Sequence, residues 1–155
     1  MRRLAYIDLD GVIADDRHRV EHAIARNWGT YFGLMEHDAV WPQGRELVEN
    51  CEILGIDIAF LTGRREDTRT TTRRWLKKHG FNHELPLVMR PCEDRRPLAE
   101  LKAAVVVETF RRYEQVTVYD DDPKVIAAVR ALPRAMATHC TWYIKPERMV
   151  DRARS

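Results

Sequence analysis

The sequence predicts an α/β fold of three layers: a mainly parallel sheet, helices on both of its faces, and a minimal helical cap insertion near the start. Three observations predict it. Short β-rich apolar runs recur along the chain with helix-period segments between them, the alternation that produces right-handed βαβ units. Three of those runs end in polar clusters: Asp8 and Asp10, Thr62-Gly63-Arg64, and Asp120-Asp121. An unpaired buried carboxylate is costly, so these groups belong where strands emerge, and the carboxyl edge of a parallel sheet is where ligands bind. Finally, 155 residues that are 45% apolar and 32% charged suffice for one domain, residues 1–155, with a sizeable core, and argue against disorder.

In order, residues 3–9 read as the first strand, buried on both faces. Val20, Ala23 and Ile24 give helical spacing over Arg17–Asn27, and Trp28–Pro42 reads as aromatic and irregular. Together, residues 15–43 form the expected cap. A helix follows over Gly44–Leu54, with Leu47, Val48, Cys51 and Leu54 on one stripe and Gly55 ending it. Ile56–Leu61 is the second strand, ahead of a helix over Glu66–His79 stopped by Gly80. Leu85–Met89 is a third strand and Pro97–Tyr113 a helix. Val116–Tyr119 is a fourth strand, Pro123–Leu132 a helix with Asp122 as its cap, and Ala135–Ile144 a fifth strand. The basic tail after Pro146 reads as frayed or a short helix.

Composition excludes several classes. A net charge of +2 permits an anionic partner without demanding one. Three cysteines (Cys51, Cys92, Cys140) with no close pair argue against a disulfide framework or a cysteine zinc cage and for reduced thiols, hence a cytoplasmic location. The basic start is interrupted at once by Asp8 and Asp10, unlike a signal peptide. No apolar run approaches the roughly 18 residues of a membrane span. His18-Arg19-Val20-Glu21-His22 matches a zinc-protease pattern, but no third ligand is evident and chance occurrence on a helix face is the expectation.

The three polar strand ends converge on one crevice if their strands are neighbours. Clustered carboxylates repel one another unless a cation is present, and hard oxygen ligands around an open site suit Mg²⁺ and a phosphate-bearing substrate. Gly11 lets the chain turn after Asp10, so that a carboxylate and a backbone carbonyl face one ion. Thr62 and the amides starting the next helix suit phosphate oxygens, and Lys102 is placed to neutralise phosphate and carboxylate charge.

Asp-Leu-Asp-Gly-Val (8–12), Leu-Thr-Gly-Arg (61–64), Lys102 and Tyr-Asp-Asp-Asp-Pro (119–123) resemble the four ordered motifs of the haloacid dehalogenase superfamily, whose fold is Rossmann-like. The resemblance implies that Asp8 is a nucleophile forming an aspartyl-phosphate and that Asp10 is general acid, then base. It implies that Thr62, Gly63 and Lys102 bind the phosphoryl group. Asp120 or Asp121, with Asp8 and the Asp10 carbonyl, would hold Mg²⁺. Arg19, Trp75-Leu76, Met89-Arg90 and Asp94 extend the similarity to the 3′-phosphatase domain of phage-type polynucleotide kinase-phosphatases, which places arginines matching Arg19 and Arg64 near the phosphate. One departure is Leu98, where that family often has an Asp preceding the motif lysine; Asp94 or Glu100 is the expected substitute. No Gly-x-x-x-x-Gly-Lys-Ser/Thr loop occurs, so a kinase half is not expected in this chain.

Little chain separates the motifs, which leaves no room for a large cap and implies an open site. That fits a phosphorylated RNA or DNA end, with a separate kinase or ligase as partner. Arg65, Arg69, Arg73 and Lys77 make a basic stripe beside the active edge, suited to tracking phosphates, although such a stripe also reads as a solvated face. The alternatives are a nucleotidase or small-molecule phosphatase and, in another class, a non-catalytic subunit that binds nucleic-acid ends.

Overall fold

A computed structural model describes residues 1–143. Its centre is a five-stranded sheet built from β1 (Arg3–Ile7), β4 (Asp57–Arg65), β5 (Leu87–Arg90), β6 (Gln115–Asp120) and β7 (Ala135–His139) in the order β5-β4-β1-β6-β7, with every pairing parallel. The tail beyond Pro146 and the end of the fifth predicted strand lie outside the described residues.

Alternation along β1 divides the core, because successive side chains of a strand face opposite ways. Ala5 and Ile7 join Val48 and Cys51 of α3 (Pro42–Ile53) and Trp75 and Leu76 of α4 (Arg69–Lys78). Leu4 and Tyr6 join Leu101 and Val106 of α5 (Leu98–Thr109) and Val125 and Val129 of α6 (Pro123–Arg130). The predicted three layers are therefore present. Asp122 caps α6 as expected, accepting a hydrogen bond from the Lys124 amide at 2.9 Å.

Two expectations need correction. The stretch Trp28–Pro42 is ordered: α2 (Trp28–Gly33), a 3₁₀ turn (Met35–His37) and β3 (Ala39–Val40), which pairs antiparallel with β2 (Ala14–Asp15). Between β2 and α2 lie a 3₁₀ turn (Arg17–Arg19) and α1 (Val20–Ile24). Trp28, Tyr31 and Phe32 sit at i, i+3 and i+4 on α2, with Trp28 and Phe32 stacked 6.1 Å apart, and pack on Val20 and Ala23 of α1. Second, β4 does not stop at Leu61 but runs to Arg65, and after a 3₁₀ turn (Glu66–Thr68) α4 starts only at Arg69. Thr62 thus sits on the strand, away from the first turn of the helix.

The turn after Asp10 is held tightly. Val12, Ile13 and Ala14 all donate backbone hydrogen bonds to the Leu9 carbonyl, and Gly11 adopts φ 86° while donating to Ala14. Only glycine takes that φ without strain. Gly44 lets α3 press on the same turn: a Cβ there would lie 2.2 Å from the Val12 carbonyl oxygen and 2.9 Å from the Ile13 Cα. Gly44→Ala should therefore lower stability by about 1–3 kcal/mol, the range for overpacking a tight interior contact. Urea unfolding reads this directly; an unchanged midpoint would mean that α3 does not buttress the turn.

Candidate active site

β1 is central, with β4 on one side and β6 on the other, so their carboxyl ends bring the three polar clusters together. Asp8 directly follows β1, and its amide donates to the Tyr119 carbonyl at 3.0 Å while its Oδ1 accepts from the Leu9 amide at 2.8 Å. Those bonds aim the Asp8 carboxylate at β6. Lys102 reaches in from α5, fully buried, with Nζ 3.2 Å from Asp8 Oδ1 and 2.6 Å from Asp120 Oδ2. Burial by itself disfavours the charged amine, but Asp120 and Asp8 outweigh it and hold the Lys102 pKa above its ordinary value. Asp120, not Asp94 or Glu100, is thus the acidic partner of the lysine. Asp94 is engaged with Arg96 at 2.6 Å. Leu98 is instead part of the apolar layer and packs on Gly63.

Asp8, Asp120 and Asp121 each offer a carboxylate oxygen within 4.8 Å of the others. Three hard oxygen donors around one point fit a small divalent cation. Burial, then the charges of Asp120, Asp8 and Asp121, push the thiol of nearby Cys140 up to about 12. All three cysteines are free thiols.

Asp10 points elsewhere. The tight turn separates it from Asp8, so the two carboxylates serve different neighbours, and only the Asp10 backbone carbonyl belongs to the expected ligand set. Its Oδ1 accepts from Arg19 Nη2 and from Arg64 Nη2, each at 2.7 Å, and its Oδ2 from Arg64 Nε at 3.1 Å. Arg19 and Arg64, the two arginines the resemblance sets near the phosphate, are buried to 1% side-chain exposure or less, whereas Asp10 keeps 17%. Behind them lies Asp38, a residue to which the sequence reading assigned no role. Asp38 accepts from Arg19 Nε at 2.8 Å and Nη2 at 2.7 Å and from Arg64 Nη2 at 3.4 Å. Burial raises the Asp38 carboxyl above its ordinary value while Arg19 pulls it back; the guanidinium of Arg19 is itself held strongly protonated despite its burial. Arg64 also donates to Thr72 at 3.2 Å, and the Arg19 guanidinium lies 4.4 Å over the Tyr31 ring. Asp38 closes a 3₁₀ turn in a segment without any motif, so nothing local marked it; its partners come from two distant elements.

Thr62 is buried, and its Oγ1 accepts from the Arg64 amide at 3.1 Å, which fixes the side chain at the mouth of β4. The basic stripe is mostly tied down. Arg69 pairs with Glu66 at 2.8 Å, Arg65 with Asp67 at 2.7 Å, and Arg73 donates to the backbone carbonyls of His83 and Leu85. Arg73 is therefore a loop staple rather than an open cation. His18 contacts Asp38 and His22 contacts Glu21, so the two histidines of the zinc-like pattern serve separate partners.

A buried lysine bridges two carboxylates at the carboxyl edge of a parallel sheet, and the neighbouring strand carries a buried threonine hydroxyl. Residues 3–138 match the family of polynucleotide kinase PNKP phosphatase domains of haloacid dehalogenase type, and the chain belongs to that family. Among solved structures it is similar to a chain of the Pnkp1/Rnl/Hen1 complex, with 20% identity and a TM-score of 0.66 over 90% of this chain and 46% of that one. It is also similar to a class C acid phosphatase from Bacillus anthracis (13% identity, TM-score 0.66, 99% of this chain and 73% of that one). A haloacid dehalogenase-like hydrolase from Streptococcus pneumoniae is a third (14% identity, TM-score 0.63, 97% and 90%). The chain spans less than half the length of the Pnkp1/Rnl/Hen1 complex chains it resembles. No curated protein sequence matches significantly. Among the described residues, no helix is long and apolar enough to cross a membrane.

Proposed function

We propose that this protein is a Mg²⁺-dependent phosphatase that removes 3′-phosphates from polynucleotide ends through an aspartyl-phosphate on Asp8. The observation that carries the reading is the arrangement of Asp8, Lys102 and Asp120 at the sheet edge of a chain in this family. A carboxylate oxygen of Asp8 attacks phosphorus, and the bond from phosphorus to the 3′ oxygen breaks. Asp10 gives its proton to the leaving oxygen, which departs as the neutral hydroxyl. Water then attacks phosphorus, the acyl-phosphate P–O bond breaks, Asp10 takes the proton, and phosphate and the Asp8 carboxylate are regenerated. Lys102 and Thr62, with the Gly63 amide beside it, hold the phosphoryl oxygens. A divalent cation held by Asp8, the Asp10 carbonyl, Asp120 and Asp121 supplies charge neutralisation for the phosphoryl group.

Similarity to a chain of an RNA repair complex supports a nucleic-acid end as substrate and a separate kinase or ligase as partner, and the free thiols support a cytoplasmic setting. In this reading Arg69, part-buried and paired with Glu66, exchanges that partner for a phosphate further along the oligonucleotide. A panel of RNA and DNA oligonucleotides carrying 3′-phosphate, the same oligonucleotides with 5′-phosphate, and mononucleotides tests the reading. The 3′-phosphorylated oligonucleotides should show the highest kcat/KM with Mg²⁺. Equal or better turnover of mononucleotides would favour a nucleotidase, and oligonucleotide binding without hydrolysis of any phosphomonoester would favour a binding subunit.

A further inference from the structure

Four side chains form one group, Arg19 and Arg64 between Asp10 and Asp38, whose charges balance while Asp10 is ionised, as it is before it takes the proton from water. The two Nη2 atoms are each bridged twice, once by Asp10 Oδ1 at 2.7 Å from both, and once by Asp38 Oδ2 at 2.7 and 3.4 Å. Two guanidinium groups this close repel each other, and burial enlarges that repulsion. They stay side by side only because a carboxylate sits on either flank. Of the four, Asp10 alone is reachable from the crevice, its side chain 17% exposed against 1% or less for the other three. Asp38 is anchored twice more. Trp75 Nε1 donates to the Asp38 carbonyl at 2.9 Å, and His18 Nε2 lies 2.7 Å from Asp38 Oδ1. His18 is the outermost member, with a side chain 38% exposed.

We infer that Asp38, braced by His18, is a positioning residue for the acid–base step: it fixes the two buried arginines so that they present Asp10 to the leaving oxygen. It never meets the substrate. Removing its charge leaves the paired guanidiniums balanced on one side only, so they separate or draw the Asp10 carboxylate inward, away from the crevice. The inference rests on the acid–base role proposed above for Asp10.

The test compares leaving groups. Formation of the aspartyl-phosphate governs kcat/KM, and a proton is needed there only when the departing oxygen is strongly basic. An oligonucleotide 3′-phosphate releases an alcohol and depends on the proton; 4-nitrophenyl phosphate releases a weakly basic phenolate and does not. Asp38→Asn should lower kcat/KM for the oligonucleotide by about 10²-fold, at the low end of what a general acid contributes, and change that for 4-nitrophenyl phosphate by less than about fivefold. In an Asp10→Asn background the same change should add little, since both act through one proton transfer. Should Asp38→Asn fail to fold, His18→Gln at the exposed end carries the test, with a smaller loss of the same selectivity. Equal losses on both substrates, in a protein whose Asp10→Asn variant is selective, would overturn the inference and leave the phosphatase reading standing. A wild-type protein inactive on both substrates would overturn both.

Discussion

Asp8→Asn is expected to abolish phosphate release, by at least roughly 10³-fold in kcat, because the amide has no anionic oxygen with which to attack phosphorus. The substitution is nearly isosteric, so the amide of Leu9 keeps an acceptor and the fold is retained. Phosphate release from a 3′-phosphorylated oligonucleotide, followed with and without Mg²⁺, reads the effect. Stability should rise or hold rather than fall, since one of three clustered carboxylates loses its charge. A folded Asp8→Asn protein that still turned over at a rate near wild type would show that another group attacks phosphorus.

Lys102→Met should have the largest effect on stability. Its ammonium is fully buried between Asp8 and Asp120, and the replacement fits the volume while removing the charge that bridges them. Breaking a buried ion pair from one side costs about 3–5 kcal/mol because the remaining charge is left uncompensated. Here the remaining charge is a carboxylate cluster, so added Mg²⁺ should recover part of the loss by binding the folded state in its place. Thermal melts in EDTA and in Mg²⁺ separate the two contributions. Activity should stay low in both, since a phosphoryl-binding group is gone. A melting temperature equal to wild type in EDTA would contradict the account of how the cluster is held.

The fold was legible because its signals are long-range in arrangement but local in kind. Apolar runs such as Ile58–Leu61 and Val116–Val118 end in polar groups, and glycines at 55 and 80 mark helix ends with φ of 66° and 79°. What sequence could not supply was the extent of β4, predicted to end at Leu61 yet continuing through an irregular stretch until Arg65 pairs with Arg90 of β5. The insert was harder to read: Trp28, Tyr31 and Phe32 do carry the i, i+3, i+4 spacing of α2, but the helix is only six residues long, and its packing on Val20 and Ala23 is not visible in that spacing.

For the site, the motif residues were found and the support around them was not. Asp8, Lys102, Asp120 and Asp121 come together as spacing and resemblance suggested. Arg19 and Arg64 were singled out, but their burial behind Asp10 depends on Asp38, which sits in no motif and whose partners are 19 and 26 residues away in the chain. The basic stripe illustrates the converse. Only Arg69, Arg73 and Lys77 share the helix, since Arg65 ends β4, and Arg65 and Arg69 are answered by neighbouring acids and Arg73 by carbonyls that no periodicity reveals.

The central claim is that Asp8 carries the phosphoryl group. Mixing excess 3′-phosphorylated oligonucleotide with the enzyme and Mg²⁺, quenching in acid and reducing with borohydride converts an acyl phosphate to an alcohol at the side chain that bore it. Peptide mass spectrometry should then find homoserine at position 8 and nowhere else. Phosphate release with position 8 unmodified, or with the alcohol at another carboxylate, would contradict the account.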